Sequence, residues 1–259
     1  MFLAIDVGNT QSTLGLFDDE GQLAKGWRMT SNASDTSDML HARLFSYFLK
    51  DGYELADVSA AAVASVVPAL TRAWWRCLGD LLGRSPLLVN ATHDYGMPID
   101  MPNPRTVGAD RIANAIAARN AYGSPVIVVD FGTATNIDVV DDRGAYRGGA
   151  ISPGLMLSAN ALFGKAAKLA SIPVEAPEHA LGDTTETAMQ SGLVIGAAAQ
   201  AEGLVSRMKV ELGIEQAKVI GTGGLARTVS RATDLFDAVD PTLTLRGIRE
   251  IWLQQHGGA

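Results

Sequence analysis

Runs of apolar residues alternate with turn residues along the chain and predict strands and helices in a repeating order. In the first half, three strands come first and helices alternate with two further strands. These elements are strands at residues 2–6, 12–17, 23–29, 60–67 and 86–90, helices at 36–51, 70–82 and 110–121, and an ordered loop at 95–105. The opening strands follow one another through short turns, so an antiparallel meander is expected there.

The second half repeats this order. Its elements are strands at residues 126–130, 135–140, 145–151 and 217–221 and helices at 154–166, 185–212, 224–231 and 244–255. Strands followed by helices in both halves predict an α/β chain whose two sheets are mixed and not purely parallel.

The two halves also share a sequence motif. Asp6-Val7-Gly8-Asn9-Thr10 follows one apolar strand, and Asp130-Phe131-Gly132-Thr133-Ala134 follows another at an offset of 124 residues. With one residue of slippage the match continues to an acidic turn that ends in Gly21 in the first copy and Gly144 in the second. A duplicated unit indicates two lobes, which we place at residues 1–118 and 119–259.

Composition narrows the class of protein. The chain has 259 residues, 47% of them hydrophobic, and no run long enough to span a membrane, so we expect a cytoplasmic protein without a membrane partner. A formal charge of −7 disfavours nucleic-acid binding. Cys77 is the only cysteine and is predicted to be a core residue, and Trp74 and Trp75 are expected to serve in packing and not in cofactor contacts.

The duplicated turn suits phosphate binding. Gly8 lets backbone N–H groups approach an anion, Asn9 and Thr10 add neutral donors, and Asp6 at the strand end suits a hydrated Mg²⁺ that carries ATP. A plain hairpin turn is the competing interpretation, since these residue types populate turns anyway. The presence of a second copy of this turn, at Asp130–Ala134, favours phosphate binding over a plain hairpin turn. No Walker sequence is present, so the two hairpin turns must hold the phosphates.

Two further motifs could take part in catalysis or binding, although each also has a simple structural interpretation. Asp110, in Val107-Gly108-Ala109-Asp110-Arg111, is either an ordinary helix cap or the group that accepts the proton of an attacking hydroxyl. Arg111 beside it could clamp a substrate carboxylate. The segment Gly221–Ala226 would let an adenine ring lie against the backbone, although a helix-entry turn explains it as well.

In this order the motifs resemble those of the type III pantothenate kinases, and the resemblance spans nearly the whole chain. The matching pieces also include Ser65-Val66-Val67-Pro68, Gly148–Gly154, Ala166–Leu169 and Ala188–Gly192. The resemblance implies two duplicated ribonuclease H-like, actin-like lobes with an ATP cleft between them. It also implies phosphorylation of pantothenate with ATP, the first step of coenzyme A biosynthesis.

The resemblance assigns roles to individual residues. Asp110 would be the catalytic base, and Asp130 would ligate the monovalent cation, K⁺ or NH₄⁺, that the family requires. The ATP-binding residues would be Asp6, Val7, Gly8, Asn9, Thr10, Gln11, Ser12, Thr13 and Thr133. The pantothenate contacts would be Gly108, Ala109, Asp110, Arg111 and Thr185, in a pocket completed across a homodimer interface.

The chain departs from the family pattern at three positions. Met101 stands where many members have a substrate-contacting Tyr, Asn136 replaces a Thr, and Asp183-Thr184 replaces Lys-Asn before the matched Thr185. Two rival functions remain open. One is a non-catalytic regulator related to Bvg accessory factors, and the other is a sugar or acetate kinase of the same superfamily.

Overall fold

The structure is a computed structural model that describes residues 1–165 and 172–257, and the chain divides into two compact units. The first unit comprises Met1–Gly96, Pro102–Ala117 and Leu243–Ala259, and the second comprises Met97–Met101 and Ala118–Thr242. The segment Ala166–Leu169, which contributes to the family resemblance, lies outside the described residues.

A five-stranded mixed sheet forms the centre of the first unit. Its strands are β1 (Phe2–Val7), β2 (Gln11–Phe17), β3 (Leu23–Thr30), β4 (Ala60–Ser65) and β5 (Leu87–Val89), in the order β3-β2-β1-β4-β5. β1 pairs antiparallel with β2 and parallel with β4. Both central strands are apolar because the sheet is covered on both faces.

Two helices cover one face of this sheet, α1 (Ser37–Asp51) and α2 (Pro68–Leu82). The Thr36 side chain caps α1 by accepting from the Met39 amide, and Gly52 ends the helix with a φ of 78°. α1 buries Leu40, Leu44 and Phe48 at a spacing of four residues, as one apolar helix face requires.

The first unit also contains the N-terminal part of α3 (Ala109–Tyr122) and all of α8 (Leu243–His256). α8 packs on β1 and β4, and its Trp252 ring lies 5.1 Å from that of Phe2. A Cβ built on Gly247 would lie 2.0 Å from the Ala113 carbonyl oxygen, so only glycine permits this close approach of α8 to α3.

The second unit is built around β6 (Val126–Phe131), β7 (Ala134–Val140), β8 (Tyr146–Pro153), β9 (Lys218–Thr222) and β10 (Ala238–Val239). The strand order is β10-β9-β6-β7-β8. β6 pairs antiparallel with β7 and parallel with β9, so this sheet has the same strand order and directions as the first.

Helices of the second unit follow its strands. They are α4 (Leu155–Lys165), α5 (Thr185–Gln190), a π-helix (Ser191–Ile195), α6 (Gly196–Leu212) and α7 (Ala226–Val229). The described residues of the two units also contain short 3₁₀ helices at Leu55–Asp57, Pro104–Thr106 and Ser230–Ala232. Side chains of α6, including Val205, pack with Val129 and Ile137 of the sheet in one buried core.

The mixed-sheet α/β prediction is confirmed, and the predicted elements are present with ends that differ by a few residues. The helix predicted at 185–212 contains the π-helical turn, and the two-residue β10 was not predicted. The units also differ from the predicted lobes 1–118 and 119–259. Residues 243–259 group with the first unit because α8 packs against β1 and β4 with a buried apolar face that includes Ile248 and Ile251.

Candidate functional site

The turn between β1 and β2 is tight. The Gly8 amide donates to the Gln11 carbonyl at 3.0 Å, and a Cβ built on Gly8 would lie 3.0 Å from that same oxygen. Asn9, Thr10 and Gln11 are exposed at its tip. The turn therefore offers polar side chains and backbone to solvent, as a phosphate-binding turn must.

The predicted ATP-binding residues of this turn lie on two faces of the sheet. Asp6 is directly opposite Thr13 in the β1–β2 register, so the two side chains share one face. Val7 is opposite Ser12 on the other face, where the Ser12 hydroxyl is buried and lies 2.8 Å from that of Ser31. Asp6 and Thr13 are thus grouped together, whereas Ser12 is engaged in a structural hydrogen bond.

The Gly-Ala-Asp-Arg loop lies beside the end of β1. The Val66 amide, just after β4, donates to the Val7 carbonyl at 3.1 Å. A Cβ built on Gly108 would be 3.7 Å from Cγ1 of Val66. Val66 therefore connects the end of the first phosphate turn's strand with the loop that carries Asp110.

Asp110 lies in the first turn of α3, with one carboxylate oxygen buried. Its Oδ1 atom has no hydrogen-bond partner among the described residues. Burial raises the pKa of the Asp110 carboxyl, and the Arg111 backbone N–H and guanidinium act in the lowering direction. A buried acceptor with a raised pKa is the arrangement expected of a group that takes a proton from a substrate hydroxyl.

The neighbours of Asp110 have different environments. Ala109 is buried, and the Arg111 side chain is half-buried. A Cβ built on Gly108 would lie 2.5 Å from Oδ1 of Asp110. Only glycine at this position allows the loop backbone to lie so close to the carboxylate.

In the second unit, the carboxylate of Asp130 lies next to a glycine, Gly223. Asp130 is paired in register with Asn136 on β7 and with Thr222 on β9. Gly223 follows with a φ of 90°, and a Cβ built there would lie 2.3 Å from Oδ1 of Asp130. The backbone at position 223 thus lies against the Asp130 carboxylate, and any side chain there would collide with it.

The Gly132–Thr133 turn is supported from the start of α4. Gly154 donates its amide to the Thr133 carbonyl at 3.1 Å. A Cβ on Gly154 would lie 2.2 Å from that oxygen, so a side chain is excluded there. Thr133 itself is exposed beside this contact.

Two substrate-related positions predicted from the sequence also lie in the second unit. Thr185 is exposed at the start of α5, where Thr184 and Thr187 form a reciprocal capping box. Met101 packs against Gly148, with its Sδ and Cε 3.5 Å from a Cβ built on that glycine. The Met101 side chain therefore lies on the second sheet's edge strand β8.

Within the described ranges 1–165 and 172–257, no group of three or more His, Cys, Asp or Glu side chains is placed to hold a metal ion. A Mg²⁺ ion commonly keeps several waters and uses one or two carboxylates with substrate phosphates. Asp6 at the first turn fits that mode.

The prediction that Cys77 is a core residue is confirmed. Cys77 is buried, and burial raises the pKa of its thiol to about 12, so it is a core residue. Trp74 is fully buried, whereas Trp75 is 41% exposed. Among the described residues no helix is long and apolar enough to cross a membrane.

Comparisons with known proteins place the chain in a family. The sequence profile of the type III pantothenate kinases matches residues 2–207. The type III pantothenate kinase of Moorella thermoacetica is 42% identical over 97% of this chain and 98% of its own length. The chain belongs to the type III pantothenate kinase family. A second type III pantothenate kinase, from Thermomicrobium roseum, is 42% identical over 99% of this chain and 98% of its own.

Solved structures share the fold of this type III pantothenate kinase family member. A Campylobacter jejuni protein described as a Baf family transcriptional activator has a TM-score of 0.65 at 18% identity, with 99% of this chain and 100% of that chain covered. A ROK family glucokinase from Streptomyces griseus has a TM-score of 0.53 at 12% identity, with 99% of each chain covered. Both likenesses establish the actin-like sugar-kinase fold alone.

Sequence reasoning missed the role of Gly223 at the Asp130 carboxylate and that of Gly154 at the Gly132–Thr133 turn. Gly223 was weighed only as part of an adenine contact or a helix-entry turn, and Gly154 only as part of a strand-to-helix turn. The available signal was chain order, since Gly223 directly follows β9, the strand that pairs in parallel with the Asp130 strand. Close backbone approach is the usual reason for a glycine at such a position.

Proposed function

We propose that this protein phosphorylates the terminal hydroxyl of pantothenate with ATP, giving 4'-phosphopantothenate in the first step of coenzyme A biosynthesis. The proposal rests chiefly on the buried, unpartnered Oδ1 of Asp110 in the Gly-Ala-Asp-Arg loop of a chain that belongs to this kinase family. The absence of a membrane-spanning helix among the described residues is compatible with a cytoplasmic enzyme.

Asp110 is the proposed base. The substrate hydroxyl donates to the Asp110 carboxylate, which takes the proton as the hydroxyl oxygen attacks the γ-phosphorus of ATP. The bond between the γ-phosphorus and the β–γ bridging oxygen breaks, and ADP leaves. Phosphoryl transfer proceeds through a loose transition state with little bonding to the nucleophile, so positioning accounts for much of the effect. The raised pKa of the Asp110 carboxyl supports this role.

The two duplicated turns are proposed to hold ATP. The Gly8–Gln11 turn offers exposed Asn9 and Thr10, and the Gly132–Thr133 turn offers exposed Thr133. Asp6 is the proposed carboxylate for Mg²⁺, which would neutralise phosphate charge. Thr13 shares the Asp6 face and is retained as an ATP-binding residue, whereas the Ser12 hydroxyl is occupied by Ser31 and would contribute backbone only.

Asp130 is the proposed ligand of a monovalent cation, K⁺ or NH₄⁺. The close approach of Gly223 to its Oδ1, and the neighbouring Asn136 and Thr222 in register, support an oxygen-lined site. A cation there would offset phosphate charge in a chain that lacks a Walker lysine.

The acceptor is proposed to contact Gly108, Ala109, Asp110 and Arg111, with Thr185 supplied by a second copy in a homodimer. Exposed apolar side chains on β8 and α4 support a buried interface, namely Ile151, Met156, Leu157 and Leu162.

Turnover of ATP with Mg²⁺ and pantothenate, in K⁺, NH₄⁺ and Na⁺ buffers, tests the proposal. We expect pantothenate-dependent ADP formation in K⁺ or NH₄⁺, with 4'-phosphopantothenate identified by mass spectrometry. If no product forms under any cation while a panel of sugars and acetate supports turnover, another kinase activity replaces this one. Sedimentation velocity measures the dimer independently.

A further inference from the structure

A serine that follows β3 holds the first phosphate turn from outside its hairpin. The Ser31 amide donates to the Thr10 carbonyl at 3.0 Å. The Ser31 hydroxyl lies 2.8 Å from the hydroxyl of Ser12 in β2, which is 19 residues earlier in the chain. Ser31 therefore bonds the turn and its adjoining strand twice, once through its backbone and once through its side chain.

The second unit repeats the backbone bond. The Gly154 amide donates to the Thr133 carbonyl at 3.1 Å. Thr10 and Thr133 each lie immediately before the second strand of their unit, and Ser31 and Gly154 each lie immediately after the third strand. The same bond thus holds both copies of the duplicated turn, which indicates that it serves the turn itself. The first copy adds a side-chain hydroxyl, where the second has glycine.

The hydroxyl pair is buried at one member and accessible at the other. Ser12 is 1% exposed, and its hydroxyl makes no other hydrogen bond within residues 1–165 and 172–257. A buried hydroxyl that loses its partner destabilises the arrangement around it. Ser31 is only partly buried, so its side chain can be changed with little disturbance of the core.

The backbone bond fixes the orientation of one peptide group in the turn. The Thr10 carbonyl and the Gln11 N–H belong to the same planar trans peptide and point in opposite directions. Holding the carbonyl on Ser31 therefore also sets the direction of the Gln11 N–H. The Gly8 amide closes the turn from within the hairpin by donating to the Gln11 carbonyl at 3.0 Å. The two bonds together determine the conformation of the turn.

We propose that Ser31 is a positioning residue for nucleotide binding, which holds the Gly8–Gln11 turn in the conformation that receives the ATP phosphates. The inference rests on the proposed function, in which this turn binds ATP. A turn that is already ordered loses less conformational entropy when a ligand binds, so its affinity for the ligand is higher. Ser31 acts on the nucleotide through Thr10 and Ser12 and does not contact it.

Removal of the Ser31 hydroxyl tests the inference through nucleotide affinity. We expect Ser31→Ala to raise the Kd of the non-hydrolysable ATP analogue AMPPNP with Mg²⁺, and the KM for ATP, about fivefold to tenfold. The kcat and the KM for pantothenate should change less than twofold. Ser31→Thr keeps the hydroxyl, so its Kd and KM should return to within about twofold of wild type. Calorimetry without an acceptor measures Kd, and initial rates measure the other constants.

A matched control lies at the other end of β1. The Ser59 amide and hydroxyl both donate to the Met1 carbonyl at 3.0 Å. Ser59→Ala therefore removes a comparable hydrogen bond far along the strand from the turn. It should lower the melting temperature as Ser31→Ala does, but it should leave the Kd for AMPPNP unchanged.

A double-mutant cycle tests whether the hydroxyl pair carries the effect. Ser12→Ala removes the same bond from its other member and should raise the Kd for AMPPNP by a similar factor. The double variant should bind no more weakly than either single variant, because both remove one interaction. Independent, additive effects of the two substitutions would overturn the inference.

The remaining outcomes separate this inference from the proposed function. An unchanged Kd for AMPPNP in folded Ser31→Ala protein, or an equal rise in Ser59→Ala, would show that Ser31 supports the fold alone and would overturn the inference. Wild-type protein that binds AMPPNP without phosphorylating pantothenate would refute the proposed function, and the Kd comparison would still decide the role of Ser31. Wild-type protein that binds no AMPPNP would overturn both.

Discussion

Gly108 and Asp110 are so close that a Cβ at position 108 would lie 2.5 Å from the Oδ1 atom of the carboxylate. The same Oδ1 is buried and has no hydrogen-bond partner among the described residues. The glycine therefore lets the backbone of the loop lie against this buried oxygen, and that contact sets the position of the Asp110 carboxylate.

Gly108→Ala should lower kcat with little effect on folding. The new methyl group would displace the flexible carboxylate and not the backbone, and a shift of about 1 Å can cost about 100-fold in rate. Steady-state kinetics and thermal melting measure the two effects. Gly203→Ala is the control, because no atom lies within 4 Å of a Cβ at that helical position. Equal kcat in Gly108→Ala and wild type would refute the role given to Oδ1.

Asp110→Asn should lower kcat about 100-fold or more while leaving the KM for ATP nearly unchanged. The amide keeps the side-chain shape but cannot accept the proton, and general-base catalysis commonly contributes factors of this size. Initial rates at varied ATP and saturating pantothenate provide the measurement. Near-normal turnover would remove Asp110 from the catalytic role.

The same Asp110→Asn substitution should stabilise the protein at neutral pH. Because the folded-state pKa is raised, the wild-type carboxyl favours folding only below its unfolded pKa and loses that contribution as pH rises through the folded pKa. The stability difference between variant and wild type should therefore be larger at pH 7 than at pH 4. Urea unfolding at both pH values measures it, and a variant less stable than wild type at pH 7 would contradict the prediction.

Gly223→Ala should raise the K⁺ concentration needed for half-maximal activity. A Cβ there would lie 2.3 Å from Oδ1 of Asp130 and 2.7 Å from the Phe131 backbone, and the glycine φ of 90° disfavours other residues. Gly224→Ala is the matched control, since nothing lies within 4 Å of its Cβ. Activity titrated with KCl distinguishes them, and an unchanged K⁺ requirement in a folded Gly223→Ala protein would count against the cation site.

Asp141→Asn should destabilise the protein at neutral pH and reduce its sensitivity to acid. Burial acts to raise the pKa of this carboxyl, but the Ala145 amide and the Arg147 and Arg143 guanidiniums lower it below its usual value. A lowered folded-state pKa contributes stability that is present above the unfolded pKa and lost as pH falls through the folded one. Melting temperatures at pH 7 and pH 3.5 measure this. An equal loss of melting temperature at both pH values would show that the charge of Asp141 does not contribute to stability.

Sequence patterns predicted the sheets well because each central strand carries a continuous apolar run bounded by a turn. The duplicated Asp-x-Gly motif also predicted equivalent positions in the two units. The one-residue slippage between the two copies corresponds to a difference in the length of their turns. The Gly8 amide bonds to Gln11 three residues on, whereas the Gly132 amide bonds to Ala134 only two residues on. The second turn is thus shorter by one residue.

The remaining features depend on tertiary packing that periodicity does not encode. The exposure of Trp75 beside the fully buried Trp74 is one such feature. Similarly, the close approaches of Gly154 and Gly223 involve residues distant in sequence, so only the folded chain reveals why they are glycine. The assignment of α8 to the first unit has the same origin.

The position of α8 has a consequence for synthesis of the protein. Residues of the second unit end at Thr242, while the first unit still lacks Leu243–Ala259. Domains commonly fold in N-terminal order as the chain leaves the ribosome. The first unit, whose strands are translated first, is therefore completed last. The face of β1 and β4 that packs against α8 stays uncovered until that helix has been synthesised.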